Sequence, residues 1–286
     1  MSGTYIIDIH SSDYPERLRN IPDPPKQLYC RGDISLLNAG SVAVVGARKN
    51  TVYGKNVALM IGRRLAESGI TVTSGLALGI DAYSHEGALE AGGKVIGVLG
   101  NGFDQMTPQR NQGLMKRGLE YGGLVVSEYP PDSTGHKGSF PARNRIISGL
   151  ADAVVVVEAD LNSGSLITAK HAADQGRPVY AVPGNINSRT SIGCNLLIRD
   201  GAAPLIIIDD LIRDLGAKPA AAETACKSLD EDEARIFEVV RQMSGATMEE
   251  IIRWTGFNPN MVSSLVTVME IKGIVESYAG RIYISR

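Results

Sequence analysis

With 286 residues, 43% of them apolar, the chain can bury the core of one large or two ordinary domains. A formal charge of −2 offers no global attraction for a polyanion, so any anion affinity must come from local patches. Three cysteines (Cys30, Cys194, Cys226) and four histidines (His10, His85, His136, His171) lie scattered without C-x-x-C or zinc spacing, which excludes a disulfide scaffold and predicts no metal.

The chain opens Met1-Ser2-Gly3-Thr4 without a basic start and apolar run, and no 18-residue apolar stretch follows, so a cytoplasmic protein with no membrane contact is expected. Residues 1–39, with Pro15, Pro22, Pro24 and Pro25, read as an ordered lead-in packed on a sheet. From 40 to 216, β-branched runs alternate with helical patterns: Val42–Val45, Ile70–Thr73, Val95–Leu99, Leu124–Val126, Val154–Val157, Val179–Val182 and Leu205–Ile208. Runs this uniformly apolar suit strands buried on both faces, and the alternation predicts an α/β fold with a doubly wound, mostly parallel sheet. Val57, Met60, Ile61 and Leu65 mark the first intervening helix at 3.6 spacing, and Ile167, Ala169, Ala172 and Ala173 a later one.

Residues 217–228 (Ala217-Lys218-Pro219 and an alanine run) read as a linker with little to bury. Residues 229–286 then hold three helical patterns, about Glu231–Met243, Thr247–Thr255 and Pro259–Lys272. Two short strands follow, Ile274–Tyr278 and Arg281–Ile284, the order of a small winged helix. This segment carries nine acids against six bases, and its third helix offers only Asn260 and Lys272 for base reading. An interaction or regulatory role is therefore expected there.

The most informative junction is Val42–Val45 running into Gly46-Ala47-Arg48-Lys49 and a helix. A glycine at a strand-to-helix turn admits a ligand to the backbone, the next helix presents N–H groups, and phosphate suits both. No acid occurs from Ile34 to Ala66, while Arg48, Lys49, Lys55, Arg63 and Arg64 do. The loop lacks the G-x-G-x-x-G and downstream acid of a dinucleotide site, and Gly54-Lys55-Asn56 lacks the hydroxyl of a P-loop. NAD and ATP are disfavoured, and no cofactor is expected.

Three further segments fall at the same strand ends. Ser74-Gly75-Leu76-Ala77 leads to Gly79-Ile80-Asp81, with Asp81 placed to cap the next helix. Ser133–Ala151 holds no acid but His136, Lys137, Arg143 and Arg145 interleaved with Phe140 and Asn144, a pattern suited to single strands because charge tracks the backbone and a ring stacks on any base. Ser163-Gly164-Ser165 with Thr168 would open a helix as an anion nest. Each alone has an ordinary structural reading; four on one sheet edge are harder to explain so. His85 and Glu158 are the nearby acid–base candidates, with Glu128 further off. No nucleophile elbow occurs, so a catalytic role is not expected.

Val44-Val45-Gly46-Ala47-Arg48, Ser74-Gly75-Leu76-Ala77, Phe140-Pro141-Ala142-Arg143-Asn144-Arg145, Ser163-Gly164-Ser165-Leu166-Ile167-Thr168 and Gly193-Cys194-Asn195-Leu196-Leu197-Ile198 resemble, in order, the motifs of the DNA-processing protein A (DprA/Smf) family, over about residues 14 to 216. The resemblance implies a Rossmann-like domain that binds single-stranded DNA, dimerises and helps load the RecA recombinase in natural transformation. It places Gly46, Arg48, Gly75 and Arg143-Asn144-Arg145 in the DNA pocket. Leu78 stands where many members carry a lysine, and the N-terminal helical domain of many members is missing here. A different class remains open. The nucleoside-monophosphate phosphoribohydrolases share this fold group, but their Pro-Gly-Gly-x-Gly-Thr-x-x-Glu loop is replaced here by Asn162–Thr168, without the glycine density or the closing acid. A protein-interaction scaffold with a vestigial pocket is a third reading.

Overall fold

A computed structural model of the chain describes residues 3–220, 229–243, 245–278 and 280–284; most of the expected linker, residues 221–228, and Cys226 lie outside them. The chain divides into two compact units, 1–219 and 220–286.

The first unit is built on a nine-stranded sheet. Its strands are β1 (Tyr5–Asp8), β2 (Gln27–Gly32), β3 (Ser41–Val45), β4 (Thr71–Ser74), β5 (Val95–Leu99), β6 (Leu124–Ser127), β7 (Ala153–Val156), β8 (Val179–Ala181) and β9 (Ala203–Pro204). Their order is β1-β2-β6-β5-β4-β3-β7-β8-β9, parallel from β6 to β9 and antiparallel at β1 and β2. The lead-in thus contributes two strands to the sheet itself, where a covering segment was expected.

Side-chain alternation builds a core on each face. Ala43, Val45, Val154 and Val156 point to one face with Ile146, Ile147 and Ala169; Val42, Val44 and Val155 point to the other with Val57, Ile61 and Leu65. The helices are α1 (Glu16–Arg19), α2 (Val52–Glu67), α3 (Ile80–Glu90), α4 (Gln112–Glu120), α5 (Ser139–Leu150), α6 (Gly164–Asp174), α7 (Ile192–Arg199) and α8 (Ile208–Asp214). The expected strand Leu205–Ile208 does not form. Pro204 cannot donate to a ladder, Ile206 and Ile207 are exposed, and Asp209 and Asp210 favour the first turn of α8.

The strand order carries the functional consequence. Winding proceeds outward from β3 through β4, β5 and β6, then returns to β7 on the other side of β3. The loops after β3 and β7 leave the sheet in opposite directions and open a crevice between them, the place where doubly wound sheets bind ligands.

The second unit is a winged helix of α9 (Glu231–Gln242), α10 (Met248–Thr255), α11 (Pro259–Ile271) and the hairpin β10 (Val275–Tyr278) with β11 (Arg281–Ile284). Ala246 bridges Ile282 as a one-residue third strand. Capping boxes at Asp230/Glu233 and Thr247/Glu250 start the first two helices. Ile236, Phe237, Ile251, Val266 and Met269 form its own core.

Candidate nucleic-acid interface

A cavity of about 690 Å³ lies at the β3/β7 crevice. The β3–α2 loop forms one wall with Gly46, Ala47, Arg48 and Lys49, and the start of α6 forms another with Ser163, Gly164, Ser165 and Thr168. The start of α5 supplies Phe140, Arg143 and Asn144. All of these but Ala47 were predicted, and the β3–α2 loop is brought to segments that lie more than 90 positions beyond it in sequence.

Local chemistry fixes each wall. Thr51 caps α2 by accepting from the Gly54 N–H at 3.1 Å, and Glu158 grips Thr51 twice, accepting from its N–H at 2.9 Å and its hydroxyl at 2.6 Å. A Cβ on Gly54 would lie 2.3 Å from the Glu158 carboxylate, so that glycine makes the clasp possible. Gly46 likewise admits Ile80 beneath the turn, and the Ala47 N–H donates to the Glu158 carbonyl at 2.7 Å. Glu158 is therefore buried and engaged in holding the β3–α2 loop against the end of β7. The other acid–base candidate, His85, is fully buried, and desolvation lowers its pKa to about 4, which keeps the ring neutral within the core.

The start of α6 presents polar groups to the cavity. Ser163 occupies the N-cap without capping through its side chain; its hydroxyl instead meets that of Ser165 at 2.8 Å. The Leu166 N–H returns to the Ser163 carbonyl at 3.1 Å, and the Gly164 and Ser165 N–H groups stand beside two hydroxyls at the positive end of the helix. Asn144 donates to the Gly164 carbonyl at 3.1 Å and so ties α5 to this turn. A Cβ at Gly164 would meet open space, so the bare backbone there faces the cavity. Opposite stand Arg48 and Lys49, both exposed, and neither forms an ion pair among the described residues.

The arginines of α5 divide. Arg143 is 5% exposed beneath the cavity, and its Nη1 donates to the Gly75 carbonyl at 2.7 Å and to that of Val98. Its Nε is buried without a hydrogen-bond partner among the described residues. Desolvation lowers its pKa to about 10, with Asp81 opposing the shift and Arg48 adding to it. Gly75 is a glycine because a Cβ would sit 2.7 Å from this guanidinium. Arg145 turns away from the cavity: Nε donates to Asp23 at 2.9 Å and Nη2 to Glu128 at 2.8 Å, so its charge is neutralised on the far side of the helix. Two carboxylates outcompete a solvent-facing ligand for that guanidinium, which makes Arg145 a structural strut.

Three other expected residues also lie outside the cavity wall. Ser74 is fully buried and donates to the Val44 carbonyl at 2.6 Å; Gly75 acts through its backbone, donating to Asp81 at 3.0 Å; Lys137 is exposed on the loop before α5. Asp81 does not cap α3, where Gly79 takes the N-cap at φ +82°; it closes the β4–α3 loop instead. Burial raises its pKa, and Arg143 is the largest of the influences that oppose the rise. Conversely Asp160, Arg189 and Thr190 line the cavity without a sequence signal, beside Asn162. Asn162 borders the α6 motif, but nothing in the sequence around Arg189 signals its place. Buried Cys30 and Cys194 have thiols pushed up to about 12 by desolvation and are chemically inert.

Comparison with known proteins decides the family. Residues 5–216 match the model of DNA recombination-mediator protein A, and residues 217–281 match the DprA winged helix domain. The chain belongs to the DNA recombination-mediator protein A family. It is similar to Protein Smf of Escherichia coli K12, with 39% identity over 267 residues covering 87% of this chain and 71% of that one. The solved structure of DNA processing protein A from Streptococcus pneumoniae is 39% identical, with a TM-score of 0.70 over 74% of both chains. That of DNA processing protein A from Helicobacter pylori, described for its single-stranded DNA binding mode, is 34% identical with a TM-score of 0.67, covering 75% of this chain and 95% of its own. For a member of the DNA recombination-mediator protein A family, the α/β sheet of doubly wound, Rossmann-like type and the terminal winged helix are the expected pair of folds.

Proposed function

We propose that this protein binds single-stranded DNA in the β3/β7 cavity, without catalysing a reaction on it. The observation that carries the reading is the convergence on one cavity of Arg48 and Lys49, neither in an ion pair among the described residues, the first turn of α6 and Phe140. Phosphates would meet Arg48, Lys49 and the α6 N–H groups, while a base stacks on Phe140. The relative from Helicobacter pylori described as binding single strands supports the same ligand. A nucleotide-processing enzyme is disfavoured because His85 is sealed in the core and Glu158 is engaged by Thr51. From family membership we further read a cytoplasmic homodimer that protects incoming DNA and helps load the RecA recombinase during natural transformation.

Titration of labelled oligo-dT and duplex, with parallel incubation in nucleoside monophosphates, tests this directly. Preferential binding of oligo-dT with no base release supports it; hydrolysis of a monophosphate would point to the enzyme reading, and no affinity for either polymer to the scaffold. Binding led by the backbone should weaken with salt at a slope near −0.7 per phosphate neutralised, or roughly −2 to −3.5 for three to five contacts. A flat salt response would favour a small neutral ligand.

All cavity-lining residues precede Gly216. A chain ending there should keep most of the single-strand affinity, and bind slightly tighter, because it sheds a segment with two more acids than bases. A severalfold loss in the folded truncation would make the winged helix a DNA contact, with Asn260, Lys272 and Arg281 the residues to vary.

A further inference from the structure

We propose that Asp160 is a positioning residue that holds Arg189 as a third phosphate-binding cation of the cavity, an inference that rests on the single-strand reading of that site. Arg189 stands on the loop between β8 and α7, with 83% of its side chain exposed. An arginine so free must be ordered before it can grip a ligand, and that entropy subtracts from affinity. Here the ordering is already done. The Arg189 Nε donates to Asp160 Oδ2 at 2.5 Å, and Asp160 is itself held, its Oδ1 accepting from the Leu161 N–H at 2.6 Å.

The backbones on both sides are laced together. The Ala159 N–H donates to the Thr190 carbonyl at 2.7 Å, and the Thr190 hydroxyl reaches Glu158 at 3.3 Å. The approach of Arg189 to Asp160 is therefore set by the end of β7. The contact occupies Nε alone; Nη1 and Nη2 make no hydrogen bond among the described residues. Those two nitrogens form one edge of the guanidinium fork and suit two phosphate oxygens. The chemistry of Asp160 points the same way. A half-exposed surface ion pair adds little stability, and a carboxylate on the wall of a polyanion site repels the ligand. Asp81, the other acid of the cavity wall, is accounted for by the Gly75 N–H and Arg143; Asp160 is accounted for by the orientation it gives Arg189.

The test uses the full chain, labelled oligo-dT and salt titration. Arg189→Ala should weaken binding about tenfold and make the salt slope shallower by about 0.7. Asp160→Ala should weaken binding severalfold although it removes a negative charge from the site, and Asp160→Asn, which keeps an oxygen for Nε, should recover the loss. In an Arg189→Ala background the effect of Asp160→Ala should reverse sign, since only repulsion is then relieved. Tighter binding by Asp160→Ala in both backgrounds, or no effect in either, would overturn the proposal. Arg48→Ala serves as the control. If it weakens binding while Asp160→Ala tightens it, the pair alone is misread; if it leaves oligo-dT binding intact, the cavity itself is not the DNA site and both readings fall.

Discussion

Replacing Arg143 by alanine is expected to destabilise the first unit by about 2–4 kcal/mol, because it leaves two buried carbonyls without their donor and takes a positive charge away from the neighbourhood of buried Asp81. The Gly75 and Val98 carbonyls lose their donor, and Asp81, buried below the cavity, loses the positive charge that offsets its desolvation. Single-strand binding should fall with stability, since the Gly75 loop and the α5 start would no longer be anchored. The discriminating measurement is a urea-unfolding cycle with Asp81→Asn. In the Asp81→Asn background Arg143→Ala should cost distinctly less, because no buried carboxylate is stranded. Equal costs in both backgrounds would show that the two groups are not coupled, and that Arg143 acts only through its carbonyl contacts.

Replacing Arg48 by alanine should do the reverse, leaving stability within about 0.5 kcal/mol while weakening oligo-dT binding by about 1.5–3 kcal/mol, roughly ten- to a hundredfold. Arg48 is exposed and forms no ion pair among the described residues, so its removal breaks no internal contact. Arg48→Lys should recover part of the loss, since a point charge does not reproduce a bidentate fork. Unchanged affinity in a folded Arg48→Ala protein would move the DNA site away from the β3/β7 crevice. Together the two variants separate a residue that builds the floor from one that meets the ligand.

The walls of the cavity were legible because each is a local pattern. A β-branched run ending in Gly46, and Ser163-Gly164-Ser165 ahead of a periodic helix, state both the turn and its chemistry within a few residues. Phe140 and Asn144 were legible for the same reason, as members of one helix start. Arg143 and Arg145 read alike in sequence, two bases in an acid-free run, yet one underlies the cavity and the other braces its far side. Residues two apart on a helix point about 200° apart, and the opposite faces of α5 meet different partners. Arg189 carried no signal because its neighbours in chain order are not its neighbours in space.

The sequence by itself determined the element types, the doubly wound alternation, the winged helix and the turn after β3, since helix period, strand burial and turn glycines act over short spans. Only the tertiary structure decided which charges line the cavity. Arg143 is claimed by a carbonyl 68 residues away, Arg145 by a carboxylate 122 residues away and Arg189 by one 29 residues away. A guanidinium adopts the strongest acceptors the fold brings within reach, and that competition is settled by strand order rather than by residue type.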